Sequence, residues 1–292
     1  MTAGEAIYLG VDIGGTFTDL VMMEGDGRIS TAKALTTPGE LEVGVLDAIA
    51  LAAAAKGLTV DQLLARVRVF GHGTTQATNA LIERKGARTG LIATRGFGDT
   101  IGLQRLLGFT AGLSVDQLGW YSKRRYPDPI VPRGLRREVP ERVDYAGRVL
   151  LPLDEEAARR AVEELSEAGV ETFAVALLWS FRNPAHEQRI GEIIRELRPD
   201  AYVSLSCEVS PIIGEYERTA TTALNSYLAL KVVSYLERVE AVLSERGFRG
   251  KFHILNSAGG VMPARDAAAK PVLLVASGPT GGVRQCDQRL GW

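Results

Sequence analysis

The sequence predicts an α/β protein with a mixed sheet that starts as an antiparallel β-meander and continues through helical crossovers. Three observations carry this prediction. The N-terminal residues alternate apolar and polar side chains and are punctuated by Gly14-Gly15 and Glu24-Gly25-Asp26-Gly27. Downstream, apolar residues at helical spacing alternate with short β-rich runs. The chain has 292 residues, 46% of them hydrophobic, enough for one or two domains with a true core.

The elements follow in order. Residues 6–13 read as the first strand, 16–23 as the second and 28–34 as the third. Thr37-Pro38-Gly39-Glu40 combines a cap, a first-turn proline and a capping-box acid. The helix after it is expected to turn Val43, Leu46, Ile49 and Ala53 inward. A short helix at 61–66 leads to a strand at 67–70 and a loop at Gly71-His72-Gly73-Thr74-Thr75. A helix over 75–85, stopped by Gly86, precedes a strand at 89–94. Residues 95–150 are rich in Gly, Pro and Arg and read as an irregular insertion with short strands, either a substrate-facing arm or plain scaffold.

The βα pattern resumes at Pro152. Asp154 caps a helix with Ala158, Ala161, Val162, Leu165 and Ala168 inward, and 172–180 is a buried strand. Asn183-Pro184 opens a helix with Ile190, Ile193, Ile194 and Leu197 inward, followed by a strand at 201–206. Residues 212–246 form one long helical stretch, kinked or split. Strands at 252–256 and 271–275 flank a short helix, and Ser277-Gly278-Pro279-Thr280-Gly281-Gly282 is the final loop.

Charge and cysteine content exclude several classes. Lys plus Arg number 34 and Asp plus Glu 35, a net charge of −1, so nothing draws nucleic acid or an anionic membrane. The basic runs at 122–125 and 133–137 are short and read as solvated loop charge. Cys207 and Cys286 lack any CxxC partner, which leaves no disulfide framework or zinc knuckle. The sequence shows no leader pattern and no membrane-length apolar run, so a reduced, cytoplasmic protein is expected.

The chemistry centres on Asp12-Ile13-Gly14-Gly15-Thr16-Phe17-Thr18-Asp19. A tight Gly14-Gly15 turn brings backbone N–H groups to an anion with no Cβ in the way, and Thr16 and Thr18 add hydroxyls. Asp12 and Asp19 bracket the turn, where a carboxylate beside phosphates suits Mg²⁺, held by Asp12 through water. The alternative is an ordinary hairpin whose aspartates bond nearby backbone. No GxxxxGK[ST] or early GxGxxG is present, so neither a P-loop nor a dinucleotide fingerprint applies. The mode left is the hairpin phosphate clamp of the actin, hexokinase and Hsp70 (ribonuclease H-like) superfamily.

Further candidates lie downstream. His72, Thr74 and Thr75 precede a helix start, where an anion or carbonyl oxygen could sit; His72 serves as a general acid or base, or simply bonds loop backbone. Asn79 lies one turn on. Arg218, Thr222 and Asn225 form a polar stripe on the long helix, facing either a ligand cleft or buried structural partners. His72, His186 and His253 are not at metal-ligand spacing, and His186 reads as a surface or capping residue.

Together these motifs resemble the hydantoinase A and 5-oxoprolinase family, whose relatives include the ATP-handling subunits of acetone and acetophenone carboxylases. The resemblance rests on Asp12 to Asp19, on His72-Gly73-Thr74-Thr75 through Ala87, and on Thr94-Arg95-Gly96-Phe97-Gly98-Asp99. Val139-Pro140-Glu141-Arg142-Val143, Asn183-Pro184-Ala185-His186-Glu187, Glu215-Tyr216-Glu217-Arg218-Thr219 and Ser277-Gly278-Pro279 fit in the same order. It implies ATP and Mg, and phosphorylation of the oxygen of a cyclic amide, which then opens to water. In the carboxylase branch an enolate oxygen is phosphorylated instead. It implies catalytic roles for Asp12, His72, Thr74 and Thr75, and phosphate binding by Gly14, Gly15, Thr16, Thr18 and Asp19.

The same resemblance divides the chain into an N-terminal domain over 1–182, with its insertion at about 95–150, and the start of a second domain over 183–292. The family is longer, and its second Gly-Gly-Thr hairpin and adenosine pocket have no match here; residues 284–292 look unlike it. A truncated chain, incomplete as an enzyme, is therefore expected. Its partner would be a hydantoinase B-type subunit or the missing lobe, its substrate a lactam or ketone, and an apolar patch left uncovered should promote association. A non-catalytic remnant is the remaining reading.

Overall fold

The computed structural model describes residues 6–103, 110, 112–119, 128–278 and 280. Two compact units are present: residues 1–85 with 231–292, and residues 86–230.

The first unit is built on a six-stranded sheet of order β12-β11-β4-β1-β2-β3. β1 (Ile7–Ile13), β2 (Phe17–Glu24) and β3 (Ile29–Leu35) form the expected antiparallel meander. β4 (Val67–Thr74) and β11 (Lys251–Leu255) join in parallel, and β12 (Val261–Pro263) closes the edge antiparallel. This is the mixed α/β sheet that the sequence predicted.

Alternation decides which face is covered. Leu9, Val11, Ile13, Leu20, Met22, Phe70 and Ile254 are buried on one side. Helix α1 (Leu41–Ala54) packs there through Val45, Ala48, Ile49, Ala52 and Ala53. Val43 of the expected inward set is instead exposed. The opposite face leaves Val21, Met23 and Ile29 open.

Four local expectations change. The capping box at 37–40 does not form: Gly39 takes φ +94°, the helix starts at Leu41, and no side chain caps it. β4 runs through His72 and Gly73 to Thr74, where a loop was expected; pairing with β1 and β11 on both sides overrides the low strand preference of glycine. Helix α2 (Val60–Leu64) has a complete capping box at Thr59 and Gln62, whereas α3 (Gln76–Ile82) ends early, with Arg84 at φ +56°. Residues Pro271–Leu274 form a 3-10 turn rather than a strand, as a first-turn proline favours.

The second unit has a four-stranded parallel sheet, β10-β9-β5-β6. Central strands β5 (Thr89–Thr94) and β9 (Thr172–Ala176) are buried along their whole length, as in a sheet covered on both faces. β6 (Arg136–Val139) comes from the expected insertion but is an integral edge strand, and Val131, Leu135 and Val139 belong to the core. β7 (Arg142–Val143) and β8 (Val149–Leu151) form a separate ribbon. β10 (Tyr202–Leu205) completes the sheet. The short helix α4 (Val115–Leu118) is capped by Ser114.

Helices α5 (Glu155–Glu167), capped by Asp154, and α6 (Ala185–Leu197) bury the faces read from the sequence. The turn α7 (Ser206–Val209) leads to α8 (Glu215–Glu245), one continuous helix of 31 residues rather than a split one. α9 (Ala264–Ala269) follows β12. Arg133, Arg136 and Arg137 pair with Asp99 and Glu164, while the basic run at 122–125 and residues 281–292 lie outside the described residues.

Candidate functional site

The carboxyl edge of the first sheet gathers most of the predicted site. Register places Asp12 beside Asp19 on one side and Gly73 on the other, and Asp19 beside Lys33. These side chains share the open face. Asp12 lies so close over Gly73 that a Cβ there would come within 2.6 Å of its Oδ1. Glycine is thus what lets the carboxylate sit there. Partial burial, and then the Asp19 charge, hold the Asp12 carboxyl above its ordinary range. Lys33 Nζ meets Asp19 Oδ1 at 2.7 Å and lies 4.6 Å from the Phe17 ring centroid. So Asp19 has its counter-cation and Asp12 does not share it.

At the turn, Gly14 N–H donates to Phe17 O at 2.9 Å, and Gly15 and Thr16 are exposed. Thr18 points the other way. It is fully buried, its hydroxyl 3.2 Å from that of Thr36, which donates to Gly14 O at 2.9 Å. Thr18 therefore braces the turn from below, and its hydroxyl is not presented at the open face.

His72, Thr74 and Thr75 divide similarly. His72 is buried, and its Nδ1–H donates to Val11 O at 3.1 Å. Its Nε2 then accepts from the Tyr235 hydroxyl on α8. Burial drives the imidazole pKa down to about 4, so the ring is neutral near pH 7. Burial also pushes the Tyr235 phenol up, while a hydrogen bond from Thr74 opposes this. The trio braces the strand behind Asp12; it does not reach the open face. Thr75 accepts from Asn79 Nδ2 at 3.1 Å, and both sit at the surface end of α3. Ala276 N–H donates to Thr78 Oγ1 at 2.9 Å and Ser277 Oγ to Thr74 O at 3.3 Å, which brings the Ser277-Gly278 segment to the same edge.

Arg218, Thr222 and Asn225 lie in the second unit and are fully buried. Arg218 donates to Ser206 Oγ at 3.1 Å, Leu177 O at 2.7 Å and Ile212 O at 3.2 Å, and pairs with Glu215. Thr222 donates to Arg218 O at 2.7 Å, and Asn225 to Ser204 Oγ at 3.1 Å. Of the two readings that the polar stripe left open, the geometry fits buried structural partners. Glu187 anchors the same knot: it accepts from Leu177 N–H at 2.7 Å, Ser206 Oγ at 2.6 Å and Cys207 N–H at 2.8 Å. Burial nonetheless raises its carboxyl.

The sequence reading missed Lys33, Tyr235 and the role of Gly73. Cross-strand register could have found Lys33; nothing local points from His72 to a tyrosine 163 residues later. Among the described residues, no group of three His, Cys, Asp or Glu side chains is arranged to hold a metal, and no helix is long and apolar enough to cross a membrane. A cleft of about 600 Å³ between Glu240, Lys251 and Arg265 contains none of the motif residues.

Comparison with known proteins fits this layout. The profile of the hydantoinase/oxoprolinase N-terminal region matches residues 8–198, and that of hydantoinase/oxoprolinase matches 218–290. The second match takes in most of the segment at 284–292 that looked foreign to the family. The chain is 38% identical over 266 residues to the acetophenone carboxylase gamma subunit of Aromatoleum aromaticum, covering 89% of this chain and 36% of that protein. It is 35% identical over 273 residues to the caprolactamase subunit alpha of Pseudomonas jessenii, covering 93% and 38%. The nucleotide-free structure of an acetone carboxylase, described as ATP-dependent, superposes with a TM-score of 0.88 at 31% identity, covering 98% of this chain and 41% of the other. The chain thus spans less than half the length of these relatives, and it belongs to the hydantoinase/oxoprolinase family.

Proposed function

We propose that this chain is the phosphate-handling part of an ATP-dependent enzyme that activates a cyclic amide by phosphorylating its oxygen. The observation that carries the reading is Asp12 seated over Gly73 with Asp19 on its other side, beside the Gly14-Gly15 turn. The residues suit a metal–phosphate group. Asp12 is held above its ordinary range by partial burial and then by the Asp19 charge, both of which a divalent cation would offset, and the turn offers backbone with no Cβ. Asp12 would hold Mg²⁺ through water, and Gly14, Gly15 and Thr16 would face the phosphates. Bound ATP would supply the phosphoryl group that turns the amide oxygen into a leaving group. Lys33 fixes Asp19, and the His72–Tyr235 pair fixes the strand under Asp12.

A second reading, the nucleotide-handling subunit of a ketone carboxylase, is favoured by the 38% identity to a carboxylase subunit. In both, a hydantoinase B-type subunit or a further lobe would complete the site, in keeping with relatives named as subunits. A cytoplasmic location fits an ATP-using enzyme. Calorimetry with Mg-ATP tests the shared core: weak, Mg-dependent binding should vanish in Asp12→Ala. Equal heats from the variant and the parent chain would rule the assignment out.

A further inference from the structure

We propose that the second unit carries its own ligand site, at the carboxyl edge of its parallel sheet, for the apolar body of a small carbonyl compound. The place is argued from topology and geometry; the ligand class rests on the function proposed above.

The sheet order is β10-β9-β5-β6. The chain passes from β5 to β6 on one side, then returns to lay β9 on the other side of β5 and continues to β10. The winding reverses between β5 and β9. In open parallel sheets the crevice outside the carboxyl ends at such a reversal is where ligands bind.

The residues at that point are built unlike an ordinary loop. Thr94 Oγ1, at the end of β5, accepts from Leu178 N–H at 3.0 Å, just past the end of β9, and donates to Glu141. The Glu141 side chain is fully buried, and its second oxygen accepts from His186 Nδ1–H at 2.8 Å. With Nδ1 so used, Nε2 is the second ring nitrogen of His186, on a side chain 13% exposed. The four segments that meet here are the end of β5, the residue before β7, the stretch just past β9 and the start of α6.

Backbone strain marks the same spot. Trp179 takes φ +56°, a conformation that a bulky side chain rarely adopts. Glycine would meet that backbone without strain, so the strain accompanies the presentation of an indole. The Trp179 ring is half-buried, 5.5 Å from the Phe181 ring centroid. Phe97, 36% exposed on the loop after β5, lies with its ring centroid 5.2 Å from the Arg142 guanidinium carbon. Two aromatic surfaces and one imidazole edge therefore stand at one sheet edge. A lactam ring or the body of a ketone packs on the aromatics, and the lactam amide or the ketone carbonyl hydrogen-bonds with the Nε2 edge of His186.

The test uses the full chain with Trp120→Phe and Trp292→Phe, so that Trp179 is its one indole. ε-Caprolactam and acetophenone are titrated while Trp179 emission is followed, and binding is repeated by calorimetry in Phe97→Ala and Trp179→Gly. Phe97 is exposed enough to be removed without unfolding. A saturable emission change, with affinity roughly tenfold weaker in Phe97→Ala, is expected. No saturable change with either compound, or affinity unaltered in both variants, overturns the site. Asp12→Ala separates this from the nucleotide reading. It should lose Mg-ATP binding and keep ligand binding. Mg-ATP binding without ligand binding in the parent chain sinks this site alone, whereas Asp12→Ala that still binds Mg-ATP sinks only the nucleotide assignment.

Discussion

The two units treat their charged motif residues in opposite ways. In the first, Asp12 stands at an open sheet face, its carboxyl held above its ordinary range, and among the described residues no cation pairs with it, while Lys33 pairs with Asp19. In the second, Glu187 and Arg218 are fully buried, and their polar atoms are taken by protein groups. A charge left under-compensated at a surface is poised for a ligand. A charge whose hydrogen bonds are all spent indoors holds the fold together. Sequence spacing alone does not separate the two.

Substitution should draw the line sharply. Glu187→Leu leaves Leu177 N–H, Cys207 N–H and Ser206 Oγ without their acceptor and should cost on the order of 3–5 kcal/mol in urea unfolding. A loss below about 1 kcal/mol would mean that the knot is not scaffold.

His72 gives the pH counterpart. Its pKa is 6.5 in the unfolded chain and about 4 when folded. Between these values the unfolded state binds more protons, so stability falls as pH drops from 6.5 towards 4, by at most roughly 3 kcal/mol. Above that window the ring contributes nothing to the pH dependence. Unfolding midpoints across pH 7 to 4 in the parent chain and in His72→Gln should differ in slope, and parallel curves would contradict a buried neutral imidazole.

Asp12→Asn should do the reverse of Glu187→Leu. Stability should hold or rise slightly as the repulsion from Asp19 disappears. In the chain completed by its partner, ATP turnover should fall about a hundredfold or more, as for loss of a single transition-state contact. Gly73→Ala is subtler: its Cβ meets Asp12 Oδ1 at 2.6 Å, so the carboxylate must swing aside. Weaker Mg-ATP binding, by roughly tenfold, with little change in melting is expected. Lys33→Ala breaks an exposed pair and should shift stability by less than about 0.5 kcal/mol.

What the sequence revealed follows the same division. The meander and its Gly14-Gly15 turn were legible because strand alternation and turn residues act over a few positions. The faces of α5 and α6 were legible for the same reason. By contrast, Arg218, Thr222 and Asn225 could be placed on one helix face, but what lay opposite that face came from strands far away in sequence. Thr18 shared a motif with Asp12 and Asp19, yet strand alternation turned it to the buried side. His72 sat among glycines that read as loop until pairing with two neighbouring strands drew them into β4.

The order in which the chain is made bears differently on the two units. Residues 86–230 are contiguous, so the second unit can complete its sheet as soon as its last residues leave the ribosome. The first unit cannot. Its strand β4 must wait for β11, whose residues 251–255 are synthesised only after the whole intervening unit. Until then β4 keeps one edge unpaired, the kind of edge that invites mispairing with another chain. Early folding of residues 86–230 shortens the effective loop that β4 and β11 must close. Whatever holds the second unit together, the buried Glu187–Arg218 knot included, thereby helps to close the sheet beneath the phosphate hairpin.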